Sequence, residues 1–170
     1  MKRKKNRTGL YVTLAVCAVL ILLWCVYTRP LALDYLCKDL DFANTKRAQL
    51  RYEIAEVDPK GGRLSGDPVT VDLEQGDPAI DRLIHVLDDT AYRRKLSSFL
   101  PETTQTHLLK DGDFSWEITF TGDFLLRVSN FYGKIEVDYD TQTSSKRWVC
   151  AIDNEAWLQS VLDTLAAIAE

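Results

Sequence analysis

The sequence predicts an α+β fold: an antiparallel sheet of about five or six strands with helices packed on one face, behind an N-terminal transmembrane helix. Three observations carry this. An uncharged run of 21 residues, Thr8 to Thr28, follows a start containing Lys2, Arg3, Lys4, Lys5 and Arg7. Apolar and polar residues then alternate strictly over Phe114–Phe120 and again over Ile135–Tyr139, the period of strands with one packed and one wet face. Two other stretches, opening at Asp77 and at Asp153 or Asn154, place apolar residues at helical spacing instead.

The uncharged run comes first in the chain. As a helix it spans roughly 31 Å, enough to cross a bilayer core. Leu14 to Leu23 is continuously apolar, with Tyr11 near one end and Trp24 and Tyr27 near the other, where aromatic rings favour the interface. By the positive-inside rule the basic start stays cytoplasmic and the C-terminal part crosses. A cleaved secretory signal is the rival reading. The run is long for that, and the bulky Trp24–Pro30 stretch offers no small-x-small cleavage site. A lipid anchor at Cys17 or Cys25 wants a small residue just before the cysteine, where Val16 and Trp24 stand.

Pro30 ends the helix, because the residue before a proline is driven out of helical geometry. Leu31 to Leu40 follows as a short helix, with Leu33, Leu36, Cys37 and Leu40 on one face. Gln49–Val57 alternates as a strand, Lys60–Pro68 is a loop by its Gly and Pro content, and Val69, Val71 and Leu73 mark a second strand. Asp77 is the N-cap of a helix with Pro78 at its first position, and Ile80, Leu83, Ile84, Leu87 and Ala91 form its stripe. Arg93, Arg94 and Lys95 then suit its negative C-terminal end, which accounts for them without contact to lipid headgroups or an anionic partner. Turns at Thr121–Asp123 and Asn130–Gly133 separate three strands, Arg147–Ile152 is a further strand, and a last helix carries Trp157, Leu158, Val161, Leu162, Leu165 and Ile168. The organisation is thus a basic cytoplasmic tail at 1–7, a transmembrane helix at 8–28, a linker and short helix at 29–48, and an extracytoplasmic domain at 49–170.

Two stretches support this outline. One is Arg29-Pro-Leu-Ala-Leu-Asp-Tyr-Leu-Cys-Lys-Asp-Leu-Asp-Phe42; the other is Val69-Thr-Val-Asp-Leu73 with Asp81–Leu87 and Tyr92–Arg94. Together they resemble small membrane-anchored extracytoplasmic α+β proteins of Gram-positive bacteria, a family of unknown function. The resemblance implies a fold and a compartment; it brings no activity, ligand or site residue.

Charge and motifs narrow the chemistry. Residues 30–170 hold 15 basic and 25 acidic side chains, a balance unsuited to nucleic acid or anionic lipid. His85 and His107 belong to no metal-ligand spacing, Gly61-Gly62 lacks the pattern of a phosphate loop, and no serine stands in a nucleophile-elbow context. Glu136, Asp138 and Asp140 line one face of a strand, with Asp111 and Asp113 in a nearby loop; a solvated charged face accounts for them more simply than a calcium site. Cys37 and Cys150 are the two thiols outside the apolar run. An oxidising compartment lets them pair as a disulfide, while neighbours such as Leu33, Leu36, Trp148 and Ile152 equally fit two buried small hydrophobes. The expectation is a single-pass membrane protein with a non-catalytic extracytoplasmic binding or accessory domain. It calls for no cofactor; its partners are the lipid bilayer through residues 8–28 and an unspecified protein or small molecule. The alternatives are a cell-envelope hydrolase using carboxylates and a signal transducer acting through a membrane partner.

Overall fold

A computed structural model of the chain describes residues 7–57, 63–65, 68–95, 114–131, 134–152 and 154–169. Helix α1 (Arg7–Tyr27) leads through strand β1 (Pro30–Leu31), the single turn α2 (Leu33–Leu36) and a 3-10 turn at Phe42–Asn44 into the long strand β2 (Arg47–Val57). Then come β3 (Arg63–Ser65), β4 (Val69–Glu74), helix α3 (Pro78–Asp88) and β5 (Tyr92–Arg94). Strands β6 (Phe114–Thr121), β7 (Phe124–Phe131), β8 (Lys134–Thr141) and β9 (Ser145–Ala151) form a meander, closed by helix α4 (Glu155–Ala169).

The α+β class stands, but the sheet is larger than the five or six strands expected. Eight strands pair antiparallel in the order β1-β5-β9-β8-β7-β6-β2-β4, and β3 adds to the far end of β2. The surplus is β1, β3 and β5, each two or three residues long. Pieces that short show no alternation, and only their partners define them. So Arg63–Ser65, expected within a loop, pairs with Ala55–Val57. Likewise the stretch 29–48, expected as linker and short helix, also supplies the strand β1 and the buried residues Leu31, Leu33, Leu36 and Cys37.

Register explains the core. Val71, Leu50, Ile118, Val128, Val137 and Trp148 lie opposite one another across six strands, and period-2 pleating puts all six side chains on one face. The helices cover that face: Trp157 of α4 meets Trp116 of β6 edge-on at 6.1 Å and Tyr92 of β5 at 6.3 Å. Helix α3 begins as expected. Gly76, at φ 89°, makes the turn that only a residue tolerant of positive φ accepts, and the Asp77 carboxylate accepts the Ala79 N–H. Its end differs from expectation. Asp89 caps it, Ala91 lies beyond it, and Arg93 and Arg94 belong to β5 instead. Two carbonyls of the last turn, which have no helical partner, are met by side chains from elsewhere: Trp157 Nε1–H donates to Val86 O at 2.6 Å and Tyr92 O–H to Leu87 O at 2.7 Å.

The β6–β7 turn is pinned by the 3-10 segment. A Cβ built on Gly122 would run into the backbone carbonyl of Asn44. Gly122→Ala should therefore lower stability by about 2 kcal/mol through steric overpacking. Asp123→Ala next door, which loses only an exposed pair with Lys46, should change it by less than about 0.5 kcal/mol. Chaotrope unfolding of the full chain in mild detergent measures both, and equal effects would contradict this account of the turn.

Candidate functional site

Helix α1 is apolar on every side, and its described side chains from Gly9 to Val26 are exposed. Its Gly9–Tyr27 stretch is long and apolar enough to cross a membrane, about 28 Å at the α-helical rise. Of the three aromatic residues expected at its ends, Tyr11 and Trp24 are exposed while Tyr27 is half-buried. The burial of Tyr27 has a specific cause. Arg94 stacks its guanidinium 4.5 Å from the Tyr27 ring and donates from Nε to the Tyr27 carbonyl at 3.2 Å. The Tyr27 hydroxyl donates to Lys95 O at 3.4 Å. Arg94 thus does complement a helix C-terminus, as its charge requires, but the helix is α1 and not α3.

Only Thr28 and Arg29 separate α1 from β1, whose Pro30 and Leu31 lie opposite Arg93 and Tyr92 of β5. The Thr28 N–H and hydroxyl both bond to Trp24 O at 2.9 Å and finish the helix. On the other side of the exit, Arg29 lies 5.0 Å from the Tyr35 ring and donates to its hydroxyl. The helix therefore enters the sheet through bonded contacts on both sides of a two-residue connector.

The acidic row on β8 is not the open carboxylate surface that alternation predicts. Glu136 is almost fully buried and pairs with Arg147 at 2.5 Å; Asp138 lies 3.5 Å from the same guanidinium. Arg127 of β7 stands opposite Asp138 and reaches Glu117 at 3.8 Å. Burial raises the Asp138 carboxyl above its usual range, and Glu136 and Asp140 push the same way; Arg147 and Arg127 oppose them. Ser129, on this second face, is buried too, so the face is not uniformly wet. Among the described residues no group of three or more His, Cys, Asp and Glu side chains is placed to hold a metal ion. His85 is exposed on α3. Asp111, Asp113, His107 and Gly61-Gly62 lie outside the described residues.

Cys37 and Cys150 are both fully buried and are free thiols in this structure. Burial pushes each up to about 12, and the charge of Cys150 adds to the rise at Cys37. Toward the other end of β9 lies a cavity of about 320 Å³ between the α2 segment and two hairpin turns. Lys38, Asp39, Asp41, Asp123, Tyr139 and Lys146 line it, so it offers both signs of charge and suits a small polar ligand. Sequence reasoning missed this cavity because its residues come from three separate parts of the chain. Comparison with family models, curated proteins and solved structures gives no match to this chain.

Two expectations follow. Arg147→Ala should cost about 2 kcal/mol, because it takes the guanidinium from a nearly buried Glu136 and a half-buried Asp138 together. Denaturant titration checks this, and a loss no larger than that of an exposed pair would overturn it. For the thiols, folding holds the neutral form, so their contribution to stability is in place below pH 9 and lost as pH rises toward 12. Iodoacetamide at pH 8 should leave Cys37 and Cys150 unlabelled in the native chain and label both in denaturant. Native labelling would refute their burial, and labelling in denaturant only after reduction would reveal a disulfide.

Proposed function

We propose that this protein is a single-pass membrane protein whose α+β domain is a non-catalytic binding or accessory module on the extracytoplasmic side. One observation carries the reading: α1 exposes apolar side chains all round, while the rest of the chain closes a core of its own. Leaving a helix of this kind in water is costly, at about 25 cal/mol for each Å² of apolar surface, and a bilayer removes that cost. Orientation is argued from charge. Five basic residues precede the uncharged run, and Arg29 and Lys38 alone fall within the 16 residues after it.

The binding role is supported by the arrangement of polar groups. Glu136 and Asp138 of β8 are engaged by Arg147 on the same sheet face, whereas the cavity beside Asp123 and Tyr139 is mixed in charge. A small polar ligand or a polar segment of a partner protein is the chemistry that cavity accommodates.

Protease added to intact, wall-stripped cells should digest residues 30–170, and a reporter active only in the cytoplasm should be silent when fused after Glu170. A protected domain would overturn the orientation and the extracytoplasmic role. Exchanging Lys2, Arg3, Lys4, Lys5 and Arg7 for acidic residues should scramble insertion.

A further inference from the structure

We propose that the edge of the domain around the α1 exit is a bilayer-seating surface, in which Arg29 with Tyr35 and Arg94 with Lys95 engage the phosphates of anionic lipid headgroups. The proposal rests on the anchor reading above and adds what the domain does once α1 is inserted.

The connector permits little else. With Tyr27 at the membrane interface, the two residues that follow span at most about 7 Å before β1 enters the sheet. The β1–β5 pairing holds Arg93 beside Pro30, and the Arg94 guanidinium rests on the Tyr27 ring itself. These cations are therefore kept within reach of the headgroups, and the charge of the lipid decides whether the edge seats on them. Tyr35 is 60% exposed although it is a large aromatic side chain, and the Arg29 guanidinium stacks on it. An aromatic ring with a polar tip, held beside an arginine at the end of an apolar helix, has the composition that membrane interfaces select.

Charge points to the same partner. Residues 30–170 carry an excess of ten acidic side chains, so an anionic bilayer repels the domain as a whole. Arg29, Arg93, Arg94 and Lys95 concentrate positive charge at the exit, which turns this edge toward the lipid and the acidic remainder away. Each basic residue close to an anionic surface favours the seated state by about fivefold.

The full chain, isotope-labelled in nanodiscs bearing a paramagnetic headgroup lipid, tests this. In phosphatidylcholine with a third of the lipid exchanged for phosphatidylglycerol, amides of β1, α2 and β5 should relax strongly and those of β4 should not. The combined substitution Arg29→Gln and Lys95→Gln should lower the seated-to-free ratio by about thirtyfold. Arg94 is left in place because it finishes α1, and raised salt on the unaltered chain should give the same loss without any substitution. Relaxation spread evenly over the domain, or the same pattern in phosphatidylcholine alone, would overturn the seating surface while leaving the anchor intact. A chain that fails to insert, seen as protease access to its N-terminus from both sides, would overturn the anchor reading itself.

Discussion

Two backbone carbonyls at the end of α3 organise most of this domain. Val86 O and Leu87 O have no partner within the helix, and burying them unpaired would cost roughly 1–3 kcal/mol each. Trp157 from α4 and Tyr92 from β5 supply the donors, and the same two rings pack against each other. That meeting fixes α3 over the sheet, docks the C-terminal helix, and sets where β5 lies. Strand β5 in turn receives β1, so the placement of the N-terminal helix depends on a bond made at the end of α3. Removing either donor would strand a carbonyl in an apolar core, an arrangement proteins avoid.

The long elements were legible in the sequence because each carries its own period. Phe114–Phe120 and Ile135–Tyr139 alternate without a break, and the Asp77-Pro78 cap marks where α3 starts. What stayed hidden is defined by partners far away along the chain. Leu31 is a strand residue only because Tyr92 lies opposite, and Arg63–Ser65 only because β2 runs past it. The end of α3 misled for a local reason: Ala91 continues the apolar spacing, and nothing in the pattern shows that Asp89 ends the helix. At the candidate site, Trp24 and Tyr27 were legible as aromatic residues at the end of the apolar helix. The clasp that Arg94 makes on Tyr27 joins residues 67 apart in sequence, a pairing that no pattern in the sequence reports.

The second face of the sheet shows how charge can work for structure. Glu117, Arg127, Asp138, Arg147 and Glu136 alternate in sign across four neighbouring strands. Opposite charges placed across strands favour the native register, and a slip of any one strand by one residue would turn its charges toward the apolar core. The acidic row on β8 that invites a metal-binding reading is one half of that pattern.

The register between β2 and its outer neighbours has a consequence for how many copies can share a surface. On the outer side of β2, β3 pairs with Ala55–Val57 and β4 with Arg47–Tyr52. That border is thus divided between a three-residue and a six-residue strand, and Asp72 and Glu74 place negative charge on it. Chains tethered in one plane meet edge to edge far more often than chains free in solution. If α1 tethers copies of this chain in that way, a divided, acidic border keeps such encounters from growing into a continuous intermolecular ribbon.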